Sequence, residues 1–211
     1  TLAGNLAVSI KQNVFNMKAR KFNSSLESTL FNGNVPVEMF HNLLDIFKKN
    51  LPLWHKYWRI RRKALGVKTL NPYDVWAPLT TKKHKVPFEK AVEWICDGLA
   101  PMGDEYVETM RKGCLEDRWV DWAPNAGKRQ GAFSTRVPSD THPFILMSYT
   151  DDIGSMSTLS HELGHSMHAY YASRAQPMHY YLYPSIIAET ASNFNQAMAR
   201  AHMLKTNPDK Y

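Results

Sequence analysis

His161 and His165 stand four residues apart, with Glu162 directly after the first, in the stretch LSHELGHSMHAYY at residues 159–171. On a helix this spacing turns both imidazoles to one face about one turn apart, within reach of a single ion. Zinc with imidazole ligands takes bonds of about 2.0 to 2.1 Å in tetrahedral geometry, and the spacing supplies that without strain. Glu162, near the same face, can take a proton from a zinc-activated water instead of ligating the ion. The competing reading is a polar face on an ordinary helix. With nine His and nine Glu in the chain, the pattern arises by accident roughly 0.02 times, so the surrounding sequence decides between the two.

An open zinc site needs a third protein ligand and leaves one position for water. Two residues could supply it. His168 lies seven positions after His161 on the same helical face, but two turns place it roughly 10 Å along the axis, too far to share the ion. It reads instead as a neighbour of the site or a substrate-facing group. Glu189, in SIIAETASNF, is a lone acid in an otherwise uncharged helical stretch. An isolated charge in such a place is expensive unless it is partnered or used. The expected metal ligands are therefore His161, His165 and Glu189, with Glu162 as the catalytic base and one Zn2+ per chain.

The elements that must position these residues read mostly as helix. Met39, Phe40, Leu43, Leu44 and Phe47 recur at helical spacing after Pro36; Pro52 interrupts, and Trp54, Tyr57, Trp58, Ala64 and Leu65 follow, giving either a helical pair or one kinked helix. Asn71 to Leu79 reads as Pro-punctuated and extended. Phe88 to Leu99 carries Ala91, Val92, Ile95 and Leu99 on one face, and a further helix is expected from Asp104 to Lys112, before Gly113. Between residues 119 and 150 the texture changes: Gly and Pro separate GAFSTRV and PFILMSY, two runs of strand character. The helical signal then returns at SMSTLSHELGHSMHAYYASR, and again, after a Tyr- and Pro-rich loop, at SIIAETASNFNQAMARAHMLK. The expected organisation is one region over 1–211: 1–118 helical, 119–150 a small sheet, 151–211 the zinc-site helices.

Composition bounds the remaining possibilities. At 211 residues, with 44% hydrophobic and 21% charged residues, the chain can build an ordered core without staples. Cys96 and Cys114 make no CxxC pair or metal spacing, which favours a reducing, cytoplasmic compartment over a disulfide framework. No apolar stretch has the length of a membrane span, and the first residues lack the basic and apolar regions of a signal peptide. Thr1, in place of an initiator Met, implies that the natural N-terminus lies elsewhere. The net charge of +7 admits nucleic acid as a partner, yet no nucleic-acid motif accompanies it. RIRRK, Arg59 to Lys63, is most simply the solvated side of an aromatic-rich helix.

HPFILMSYTDDIGSMSTLSHELGHSMHAYY followed by IAETASNFNQ resembles the oligoendopeptidase F family of thimet-type zinc oligopeptidases. The resemblance extends upstream through GKRQGAFS, NPYDVWAPL and NGNVPVEMFHNLLDIFKKNLPLWHKYW, covering nearly the whole chain. It implies a mainly α, zincin-like metallopeptidase core with a small β-sheet beside the HExxH helix. It also implies a zinc ion held by His161, His165 and Glu189, with Glu162 as general base, acting on internal bonds of short peptides. GAFSTR then either pairs with the substrate backbone or is an ordinary strand. Family members are roughly threefold longer, so the resemblance makes this chain a part of the catalytic domain, completed by partner segments beyond Tyr211 that help stabilise the reacting carbonyl oxygen. Where the family usually carries a second Glu, seven residues after the ligand, this chain has Gln196. That change and the missing part leave open a zinc-containing, non-hydrolytic peptide-binding module. Neither membrane nor nucleic acid is an expected partner.

Overall fold

Asp152 starts the helix that carries the motif. Its Oδ1 accepts from the Ser155 amide at 2.7 Å and its Oδ2 from the Thr150 hydroxyl at 2.7 Å, satisfying a donor that helix geometry leaves unpaired. The computed structural model describes residues 1–80, 84–136 and 141–206. Its contacts divide the chain into two compact units, Thr1–Thr81 and Lys82–Tyr211.

The first unit holds α1 (Leu2–Ala19), α2 (Ser25–Phe31) and α3 (Val37–Ala64). In α2 the Ser24 hydroxyl accepts from the Glu27 amide at 3.0 Å while Glu27 accepts from the Asn23 amide at 2.8 Å, a reciprocal cap. α3 runs through Pro52 as one helix, which decides between the two readings of that stretch. Two expectations are corrected here. Pro72–Trp76 is a 3-10 turn and not extended chain, because Asp74 accepts from the Asn71 amide at 2.8 Å and closes the turn. Arg61 is not on a solvated face: it is buried and donates to the carbonyls of Asp74 and Ala77, tying α3 to that turn.

The second unit contains α4 (Phe88–Gly98), α5 (Asp104–Leu115), β1 (Val120–Asp121), β2 (Phe133–Thr135), β3 (Phe144–Leu146), α6 (Ile153–Ala175) and α7 (Ser185–Thr206). α5 continues past Gly113, where it was expected to stop. The Trp119 ring lies so close that a β-carbon on Gly113 would stand 2.4 Å from it, so this glycine serves ring packing within the helix and does not end it. β3 is the central strand, parallel to β1 and antiparallel to β2, with Ile145 opposite Val120 on one side and Ser134 on the other. The core gathers Ala91, Val92 and Ile95 from α4, Leu99 at its C-terminal cap, Met110 from α5, Ile145 from β3, and Leu159, Leu163 and Met167 from α6, all at most 2% exposed. α7 lies along α6, and a β-carbon on Gly164 would meet Ser192 Cα at 2.6 Å, so the two backbones approach as closely as only glycine allows.

A candidate metal centre between two helices

α6 lines up its functional side chains by period alone. His161 and His165 project from one face with ring centroids 4.9 Å apart and planes at 86°, as the four-residue spacing requires. α7 brings the third group: Glu189 Oε2 lies 3.3 Å from His161 Nε2 and 3.6 Å from His165 Nε2. One donor atom from each residue falls within a 4.8 Å cluster. In a tetrahedral zinc site with bonds of about 2.0 to 2.1 Å, donors stand about 3.3 Å apart, so the two separations to Glu189 fit a common ion. The donor set, two imidazoles and a carboxylate, is the kind zinc accepts with a position left open.

Each group is conditioned by its surroundings. Burial holds His165 below the usual histidine range, against the pull of Glu189 in the other direction; this favours the neutral imidazole that a metal requires. Ser192, fully buried, donates from its hydroxyl to Glu189 Oε2 at 2.9 Å and so orients the carboxylate. The sequence offered one sign of this partner, a serine three positions after the acid, where one helical turn returns it to the same face. Glu162 is 6% exposed. Burial pushes its carboxyl above the usual range, while the charge of His161 and a main-chain hydrogen bond from Ser134 work the other way.

His168 stands outside the cluster. Its ring stacks on Tyr183 at 3.8 Å, and burial, with Arg136 and His165 nearby, holds it below the ordinary range. Gln196 does not meet His161 or His165 in any hydrogen bond of the described residues. Its Nε2 donates to Ser157 Oγ at 2.8 Å and to Ser157 O at 3.3 Å, one turn before His161.

A cluster of two imidazoles and a carboxylate that could hold a metal ion, on paired helices beside a small sheet, defines a class of site, and the comparisons with known proteins give the family. Residues 3–211 match the sequence profile of peptidase family M3; the chain belongs to that family. It is 37% identical to oligopeptidase PepF of Bacillus subtilis over all of its own length and 31% of that protein's. It is 38% identical to an oligoendopeptidase F homolog of Borreliella burgdorferi, covering 99% of this chain and 36% of the relative. Among solved structures, oligoendopeptidase F from Enterococcus faecium superposes with a TM-score of 0.58 at 26% identity, over 97% of this chain and 28% of that one. A Chlamydophila abortus protein of known crystal structure gives 0.77 at 40% identity, over 93% and 33%. The chain spans about a third of the length of the relatives it matches. The fold is the mainly α, zincin-like arrangement with a three-stranded sheet beside the motif helix. No helix among the described residues is long and apolar enough to cross a membrane.

Proposed function

We propose that this chain carries the metal half of a zinc endopeptidase that hydrolyses internal bonds of short peptides. The observation that supports this most is the convergence of donor atoms from His161 and His165 of α6 and Glu189 of α7 within 4.8 Å of one another, with the buried Glu162 on the same helix as the two histidines. His161, His165 and Glu189 hold one Zn2+ per chain. When bound, zinc supplies a Lewis acid that polarises a carbonyl and lowers the pKa of water to about 7. Glu162 takes the proton of the attacking water as its oxygen bonds to the carbonyl carbon, and returns a proton to the nitrogen as the C–N bond breaks. Burial suits the carboxylate to this exchange by bringing its proton affinity nearer to that of the groups it serves. Burial disfavours the charged imidazole of His165, which helps keep its ring nitrogen available to the ion.

The 1–211 region acts as part of one peptidase catalytic domain, with further segments beyond Tyr211 completing it, in a cytoplasmic compartment consistent with two buried free cysteines. A quenched fluorescent peptide of about ten residues is the test: the full reading frame encoding this chain should cleave it, a chelator should stop cleavage, and added zinc should restore it. Cleavage that survives metal removal would overturn the proposal. The second reading, a zinc-containing module that binds peptides without hydrolysing them, is favoured by Gln196, which donates to Ser157 where the resemblance puts a second Glu; bound zinc and bound peptide without turnover would select it.

A further inference from the structure

β2 is three residues long and pairs only with β3 among the described residues. So short an edge strand gains little from its ladder, and two side-chain ties hold it. At the first, Ser134 Oγ lies 2.8 Å from the hydroxyl of Ser166, a fully buried residue of α6, and the main-chain N–H of the same Ser134 lies near the Glu162 carboxylate, where it favours the charged form. At the second, just past the strand, the Arg136 guanidinium donates to Tyr181 O at 2.6 Å and lies 4.3 Å from the Tyr181 ring centroid and 4.6 Å from that of Tyr183. Tyr183 in turn stacks on His168 of α6 at 3.8 Å and 15°. Guanidinium, phenol and imidazole thus form a continuous stack from the strand's end to the metal helix. Both ties reach α6 just beyond His165, at the next residue and at the third.

We propose that Ser166 and Arg136 are positioning residues: together they clamp β2 to α6 and to the α6–α7 connection, fixing the height of the strand's free edge over Glu162. The contacts point to different duties. Ser166 acts through Ser134, whose main chain touches the base, so it governs where the carboxylate points. Arg136 acts on the strand's exit and on the loop rings, so it governs where an extended peptide is received along that edge. The clamp stands on geometry alone; its catalytic consequence rests on the peptidase reading.

The experiment uses the full reading frame loaded with zinc, as Ser166→Ala, Arg136→Ala and Arg136→Lys, with Ser134→Ala as the second route to the first tie should Ser166→Ala not fold. Hydrogen exchange of the β2 amides is read beside that of α6, and kcat and KM are measured per metal-loaded molecule. Either alanine variant should speed β2 exchange by about tenfold or more while α6 keeps its protection. Ser166→Ala should lower kcat about tenfold with the smaller effect on KM, and Arg136→Ala should raise KM about tenfold with the smaller effect on kcat. Arg136→Lys, which keeps the charge and loses the planar fork, should fall between. Unchanged β2 exchange overturns the clamp. Unchanged kcat and KM with only a lowered melting temperature overturns the positioning role, since that is plain stabilisation. Should the unmodified zinc protein cleave no peptide, the peptidase reading falls while exchange still decides the clamp.

Discussion

Gly164 and Ser192 face each other across the α6–α7 interface with no room for a side chain between them: a β-carbon on Gly164 would lie 2.6 Å from Ser192 Cα. The same Ser192 donates to Glu189 Oε2. The residue between the two histidines therefore sets how near the proposed third ligand, Glu189, can come.

Gly164→Ala should force α7 outward. Overpacking of a close contact costs about 1 to 3 kcal/mol, and here the displaced helix carries the proposed ligand Glu189. The variant should melt lower and lose zinc affinity, measured by competition with a chromophoric chelator. Unaltered affinity would mean that α7 yields elsewhere and Glu189 keeps its place.

His161→Ala, His165→Ala and Glu189→Ala should each lower zinc content at neutral pH, because two donors make a poor open site. His168→Ala should lower it little, as its ring stacks on Tyr183 away from the cluster. Metal analysis of the four purified proteins decides the ligand set. A loss in His168→Ala as large as in the others would break it.

Glu162→Gln should keep its zinc and lose peptidase activity by at least about a hundredfold. The substitution preserves shape and removes the proton acceptor. Retained turnover would take the role of base away from Glu162.

The two cysteines predict an alkaline weakness. Burial pushes the Cys96 thiol from 9.0 up to about 11, and burial also raises Cys114. Both folded-state values lie above the unfolded ones, so the stabilisation is complete below pH 9.0 and declines as pH rises towards about 11. Urea midpoints should fall over that window, and Cys96→Ala should flatten part of the slope. Equal slopes in both proteins would mean that other groups carry the effect.

What the sequence revealed followed from how local each signal is. His161, Glu162 and His165 were legible because a four-residue period on an apolar helix depends on nothing outside that helix. Glu189 was legible as an unexplained charge in α7, and α4 and α6 as apolar periods with clear boundaries. The helices α1 and α2 left little trace because none of their residues is buried, so neither carries the apolar stripe that periodicity detects. Gly113 looked like a helix end because its ring neighbour, Trp119, is supplied from beyond the helix. Arg61 looked solvated because the carbonyls that receive it come from a turn more than ten residues on. Ser134 and Ser166 are 32 residues apart, and nothing in either segment announces the other. Gln196 stood out only against the family pattern, and its amide reaches Ser157 of α6, a partner 39 residues away that its own segment does not announce.

The three donors differ in their access to water. Glu189 is 52% exposed, against 25% and 19% for His161 and His165. An ion held by these residues would have two imidazoles as its floor and the carboxylate as a hinged wall, whose side-chain rotations are far faster than any separation of helices. A competing ligand meets that wall first. On the proposed reading, exchange of an ion would be a local event inside an intact fold, limited by the swing of the Glu189 side chain and its hydrogen bond to Ser192 rather than by global unfolding.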